Sequence, residues 1–181
     1  VIILNFFASV AMIWGQDNPS LLQMAVPSLN IAPDARGGGM GDMGAATLPD
    51  INSQYWNAAK YAFMGSKAGV SLSYTPWLRK LVNDVALVNM TGYYKLGNSD
   101  LQAISASLRY FSLGEVNIWE NIGDVPYGLN PYEMAFDVAY SRKLSESYSM
   151  AVTLRYIRSD MGTDQNDESN AGNAFSADIS G

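Results

Sequence analysis

From residue 67 onward the side chains alternate with a period of two, and this alternation restricts the possible folds more than any other feature of the chain. Val70, Leu72 and Tyr74 are interleaved with Gly69, Ser71, Ser73 and Thr75. Ala86, Val88, Met90 and Tyr94 share one parity, with Asn89 and Thr91 on the other. Ile104, Ala106, Leu108 and Tyr110 oppose Ala103, Ser105, Ser107 and Arg109, and Met134, Phe136, Val138 and Tyr140 oppose Ala135, Asp137, Ala139 and Ser141. Met150, Val152, Leu154 and Tyr156 oppose Ser149, Ala151, Thr153 and Arg155; Phe175, Ala177 and Ile179 oppose Ser176, Asp178 and Ser180. Successive side chains of a strand point to opposite sides, so the pattern predicts six strands, each with one apolar and one polar face.

Alternation alone does not say which face is inside. In a secreted sandwich the apolar faces meet in a core; in an outer-membrane barrel they face lipid and the polar faces line the lumen. Three features favour an all-β transmembrane barrel. The strands run to about ten residues, near the 9–11 that a tilted crossing requires. Tyrosines gather at strand ends (Tyr74, Tyr93, Tyr94, Tyr110, Tyr132, Tyr140, Tyr148 and Tyr156), where an interfacial girdle would place them. The polar parity is rich in Gly, Ala and Ser, which suits a crowded lumen. Connections also alternate between short turns (95–100, 143–147) and longer loops (76–84, 113–130, 159–172), as in outer-membrane barrels. A sandwich still fits the alternation by itself. Six strands are too few to close a barrel, since about eight are the minimum and open edges in lipid leave polar groups unsatisfied. The remainder of such a barrel is therefore expected beyond Gly181.

Composition removes several chemistries. The chain has no His and no Cys, so Ser-His-Asp and Cys-His catalysis, the usual zinc sites and a disulfide framework cannot be built from it. No catalytic, metal or cofactor site is expected. A formal net charge of −6 argues against a nucleic-acid partner. The uncharged run VIILNFFASVAMIWG (1–15) has the length of a signal-peptide hydrophobic region and is short for a membrane helix. It reads as a truncated signal peptide, which implies export; a buried N-terminal helix is the alternative. The expected organisation is signal peptide 1–15, an irregular segment 16–66, and the first part of the barrel, 67–181.

Between the signal and the strands lies DARGGGMGDMGAATLPDINSQYWN (34–57), containing the pattern G-x-G-x-x-G at Gly39, Gly41 and Gly44. A dinucleotide fingerprint should follow a buried strand and open a helix, with an acid about 20 residues on. Here the pattern follows NIAPDAR, and Pro49 interrupts what comes after. The stretch instead resembles the PorV/PorQ branch of the FadL-like outer-membrane barrels, in which GMG followed by a WNPA element precedes the first strand. This chain has GMGDMGAA (39–46) and YWNAAKYAF (55–63), with Ala58 where the family usually has Pro. LNIAPDARGGGMGD (29–42) and DVAYSRKLSESYSMAVTLRYIRSD (137–160) look specifically like the PorV members, and the resemblance spans about 27–181.

The resemblance implies that the segment before the first strand folds into the lumen as a hatch. Glycines let irregular backbone lie close to a wall, and such backbone is tolerated at membrane depth when protein encloses it. Candidate hatch residues are Asp34, Arg36, Gly39, Gly41, Asp42, Gly44, Trp56 and Asn57. Asp34, Arg36, Asp42 and Asn57 would satisfy luminal groups such as Arg109 or Asp137, and Met40, Met43, Tyr55 and Trp56 would fill gaps. A disordered periplasmic leader is the alternative. By resemblance the chain is a non-enzymatic component of the type IX secretion system in the outer membrane of a Gram-negative bacterium. It would receive cargo carrying C-terminal secretion signals from the translocon barrel and pass it to the sortase-like attachment complex. A FadL-type transporter of hydrophobic molecules is the alternative. Two loops carry patterns of their own. DQNDESN (164–170) has carboxylates at calcium-loop spacing but lacks the EF-hand Gly and bidentate acid, so a solvated loop is expected. Trp77, Leu78, Leu81 and Val82 form a small apolar stripe that suits either rim packing or a partner protein.

Overall fold

The computed structural model describes residues 26–77, 84–97, 101–118, 127–161 and 171–181. The signal-peptide reading of 1–15, the carboxylate loop 164–170, and Leu78, Leu81 and Val82 lie outside these residues.

Among the described residues eight strands follow one another: β1 (Ala68–Pro76), β2 (Val85–Leu96), β3 (Gln102–Leu113), β4 (Val116–Ile118), β5 (Tyr127–Leu129), β6 (Tyr132–Lys143), β7 (Ser149–Asp160) and β8 (Gly172–Ser180). Six form one antiparallel sheet in the order β1-β2-β3-β6-β7-β8, a meander whose two edges are β1 and β8. The sheet is not closed. These six are the strands expected from the alternation, and four of them reach 12 residues.

The segment 113–130, expected as a loop, instead holds the ribbon β4–β5, with Val116 opposite Leu129. Gly114, at φ 85°, takes the left-handed turn out of β3, and Leu113 N–H donates to Pro131 O at 3.0 Å to close the ribbon's base. Three-residue strands are too short to show a parity signal.

Burial across the sheet is inverted relative to a water-soluble core. On β3, Ala103, Ser105, Ser107 and Arg109 are buried, while Ile104, Leu108 and Tyr110 are exposed. On β6, Glu133, Ala135, Asp137, Ala139 and Ser141 are buried; Phe136, Val138 and Tyr140 are exposed. The same reading holds for β2 and β7; on the edge strands β1 and β8 nothing is fully buried, but their apolar side chains are the barest, up to 83% exposure at Phe175. The sheet therefore has a covered polar face and a bare apolar face. Rows of small and polar side chains cross the covered face in register: Ser71, Thr91, Ser107, Asp137, Arg155 and Ser176 face one another from β1 to β8. Within that row Asp137 accepts from Ser107 Oγ at 3.0 Å and from Arg155 Nε at 2.6 Å.

Aromatic side chains collect at both ends of the bare face. Tyr110 stacks on Tyr132 with ring centres 5.5 Å apart, and Tyr156 packs on Phe175 at 5.1 Å, all at the end nearer the long connections. Tyr94, Tyr140 and Tyr148 are exposed at the other end. Tyr93 belongs to neither group. It is the neighbour of Tyr94 in a strand, so it must point to the opposite face, and it is buried there.

Candidate functional site

The polar face is covered by the chain's own residues 26–66. This segment consists of short turns: 3-10 turns at Pro27–Asn30 and Ala58–Phe63, and single-turn helices at Ala35–Gly39 and Ser53–Trp56. Glycine and proline content rules out longer helices, and tertiary contacts hold the turns together. Asp34 is the first anchor. Its Oδ2 caps Ala35–Gly39 by accepting from Gly37 N at 2.7 Å, and its Oδ1 accepts from Trp56 Nε1 at 3.0 Å.

Trp56 explains two of the glycines. A Cβ added at Gly44 would lie 2.2 Å from the Trp56 ring, and one at Gly37 would lie 2.7 Å from it. The indole is thus packed directly on main chain. Gly41, at φ 76°, and Asp42, at φ 60°, make the left-handed turn between them. Gly39 faces open space. The G-x-G-x-x-G pattern starts at the last residue of a five-residue helix, and of its glycines Gly44 alone packs on an aromatic ring, an arrangement unlike a phosphate cradle.

Of the other expected residues, Arg36 takes its partner within the segment, and Asn57 bonds both within it and to the residue after β8. Arg36 pairs with Asp50 at 3.0 Å, half exposed, which stabilises by at most about 1 kcal/mol. Asn57 Oδ1 caps Ala58–Phe63 through Ala59 N, and its Nδ2 donates to Gly181 O at 3.0 Å. Asp137 is satisfied by Ser107 and Arg155. Met40 and Met43, expected as gap fillers, are instead 38% and 61% exposed, on either side of the left-handed turn at Gly41 and Asp42.

Other residues join the segment to the wall. Tyr61 is wholly buried, stacks on Tyr93 at 4.9 Å, accepts from Gln54 N and donates to Ile51 O. Ser105 Oγ donates to Gln54 Oε1 at 2.6 Å, Ser149 Oγ to Ala59 O at 2.8 Å, and Ser73 Oγ to Pro33 O at 2.6 Å. Lys60 donates to Gly44 O at 2.6 Å and to Thr47 Oγ1 at 3.2 Å. Desolvation by burial pushes its ammonium below the ordinary 10.5, with Asp50 and Asp34 opposing; burial pushes the Tyr61 phenol up. Arg109 Nη1 donates to Ser28 O at 2.9 Å and lies 4.5 Å above the Tyr55 ring, while Glu133 Oε2 accepts from Ser28 N at 3.0 Å. Composition gave no notice of Lys60, Gln54, Ser28 or Glu133. The one available signal was a lone Lys inside the apolar AAKYAF (58–63).

The arrangement is an irregular cover whose carbonyls and amides are met by serines and charges on the polar face of the sheet. Among the described residues no three His, Cys, Asp or Glu side chains are grouped to hold a metal, and no helix is long and apolar enough to cross a membrane, which says nothing of strands. Of the apolar stripe, Trp77 is described: it is 38% exposed and packs edge-on against Phe111 at 6.4 Å. A family model described as "Type IX secretion system protein PorV" matches residues 15–181. No curated protein matches the chain.

Proposed function

Because this chain belongs to the PorV family of type IX secretion system proteins, we propose that its sheet is part of an outer-membrane barrel wall and that residues 16–66 are the hatch in its lumen. The family is an outer-membrane component of that system. The observation that carries the reading is the inverted sheet, with Leu72, Phe136, Val138 and Leu154 bare and Ser105, Ser107, Asp137 and Thr153 covered. In water such a sheet would expose its greasy side and bury its polar one. Against hydrocarbon the assignment becomes favourable. Tyr132 and Tyr140 are eight positions apart on β6, about 27 Å along a strand and about 21 Å once tilted by about 40°, close to the height of a lipid-facing band.

On this reading the protein is a carrier and not a catalyst. It receives cargo with C-terminal secretion signals from the translocon barrel and presents it to the sortase-like attachment complex. The test is affinity isolation of the intact protein from outer membranes, paired with a gene deletion. Recovery of a translocon barrel or cargo, and loss of cargo from the cell surface on deletion, are expected. Normal secretion together with failed uptake of a hydrophobic compound would overturn the secretion role in favour of a transporter.

A further inference from the structure

Arg109 and Glu133 carry opposite charges on the same covered face of adjacent strands, yet they do not pair. Their register is diagonal: Arg109 faces Ala135 and Glu133 faces Phe111, a spacing that long side chains readily bridge. Both are buried, at 5% and 1% exposure. What separates them is one residue of main chain. Ser28 gives its N–H to Glu133 Oε2 and its C=O to Arg109 Nη1, so it occupies the gap as a wedge. The second carboxylate oxygen, Glu133 Oε1, is buried with no hydrogen-bond partner. Asp137, the other acid diagonal to Arg109, is already taken by Ser107 and Arg155.

Tyr55 Oη donates to Leu29 O at 3.0 Å and Ser73 Oγ to Pro33 O at 2.6 Å. All four of these bonds end on the main chain of residues 28–33. Residues 44–63 receive wall hydrogen bonds as well, at Gln54 and Ala59, but are held in addition by the Trp56 and Tyr61 rings packed into shaped places, which residues 28–33 lack.

We infer that residues 27–33 are a releasable strap, separable from the plug at 44–63, and that Arg109 and Glu133 form a latent ion pair that closes when the Ser28 wedge withdraws. Removing one partner of a buried charge normally leaves the other uncompensated, at a cost of several kcal/mol. Here each charge is the other's replacement partner, so withdrawal strands neither, and the unmatched Glu133 Oε1 gains a donor. The covered face is thereby bistable at this point: main chain between the charges, or the charges together.

The inference rests on the hatch geometry and not on the secretion role, and its test reads neither cargo nor partners. Residues 1–181 contain no Cys; with any cysteine elsewhere in the full-length protein replaced by Ser, a single Ala32→Cys reports the strap and a single Ala62→Cys the plug. The full-length protein in outer-membrane vesicles is labelled with a water-soluble maleimide. Cys at 32 should label and Cys at 62 should not. In the Glu133→Gln background the carboxamide oxygen still accepts from Ser28, but the released state loses its ion pair, so labelling at 32 should slow roughly tenfold or more. Exchanging the two charges (Arg109→Glu with Glu133→Arg) keeps the pair but sets acceptor against Ser28 C=O and donor against its N–H. Labelling at 32 should then accelerate by a similar factor. Unchanged or faster labelling in Glu133→Gln, an unchanged rate in the exchange variant, or equal labelling at 32 and 62 would each overturn the inference.

Discussion

Gly44 and Gly39 belong to one glycine pattern but answer to different constraints. A methyl at position 44 would meet the Trp56 ring at 2.2 Å, which side-chain flexing cannot absorb, whereas position 39 has open space around it. Gly44→Ala should therefore destabilise the plug by roughly 1–3 kcal/mol as an overpacked site. Gly39→Ala should stay within about 0.5 kcal/mol of the parent. Protease resistance of residues 44–63, read against denaturant, compares the two directly. Lys60 offers a second test through pH. Its folded value lies below the ordinary 10.5 because burial disfavours the ammonium. Between those two values the unfolded chain holds a proton that the folded chain has lost, so plug stability should rise with pH across that window. Tyr61 acts the other way at higher pH: its raised value keeps the proton in the folded state, so stability falls once the unfolded phenol ionises, near pH 10. Lys60→Met should abolish the rise and leave the fall, as measured by the same protease assay from neutrality upward.

A strand is the scale at which sequence and structure agree best here. All six wall strands were legible because a period of two sustained over nine or more residues has one geometric meaning. Inside and outside were not legible from alternation, and strand length, tyrosine position and loop length supplied the direction. The β4–β5 ribbon was hidden because Val116–Ile118 and Tyr127–Leu129 are three residues each among turn-forming neighbours. In the segment 26–66 a close glycine contact was legible, at Gly44 against Trp56, but the bonds to the sheet were not. Ser28 meets Arg109 and Glu133 through main-chain atoms, which no side-chain pattern announces. Tyr93 was legible in principle, since adjacent residues of a strand cannot share a face. The strand-scale prediction concerns Phe136, near the middle of β6 on the bare face. Phe136→Arg should reduce the stability of the protein folded in a bilayer by about 2–4 kcal/mol. On a water-exposed face the same change would stay within about 0.5 kcal/mol. Urea titration of the full-length protein in vesicles separates the two.

The molecule as a whole joins two surfaces: an apolar face that suits a non-aqueous solvent, and a polar face that the chain's own residues 26–66 cover. Each makes sense of the other. A sheet that turns Ser105, Arg109, Glu133 and Ser149 inward requires something polar and irregular to meet them, and residues 26–66 supply the Gln54 carboxamide, the Ser28 carbonyl and amide, and the Ala59 carbonyl. The two edges, β1 and β8, must also find strand partners wherever the bare face meets hydrocarbon, because unpaired main-chain groups there cost several kcal/mol each. The full-length protein should accordingly migrate as a compact, heat-modifiable species on a gel and partition with membranes. The most direct measurement places a fluorophore on single cysteines at positions 72, 136 and 154 and, separately, at 105 and 153. Quenching by lipids brominated on their acyl chains is then recorded in reconstituted vesicles. Strong quenching at the first three positions and little at the other two is predicted; quenching by an aqueous agent in preference to the brominated lipid at 72, 136 and 154 would contradict the account.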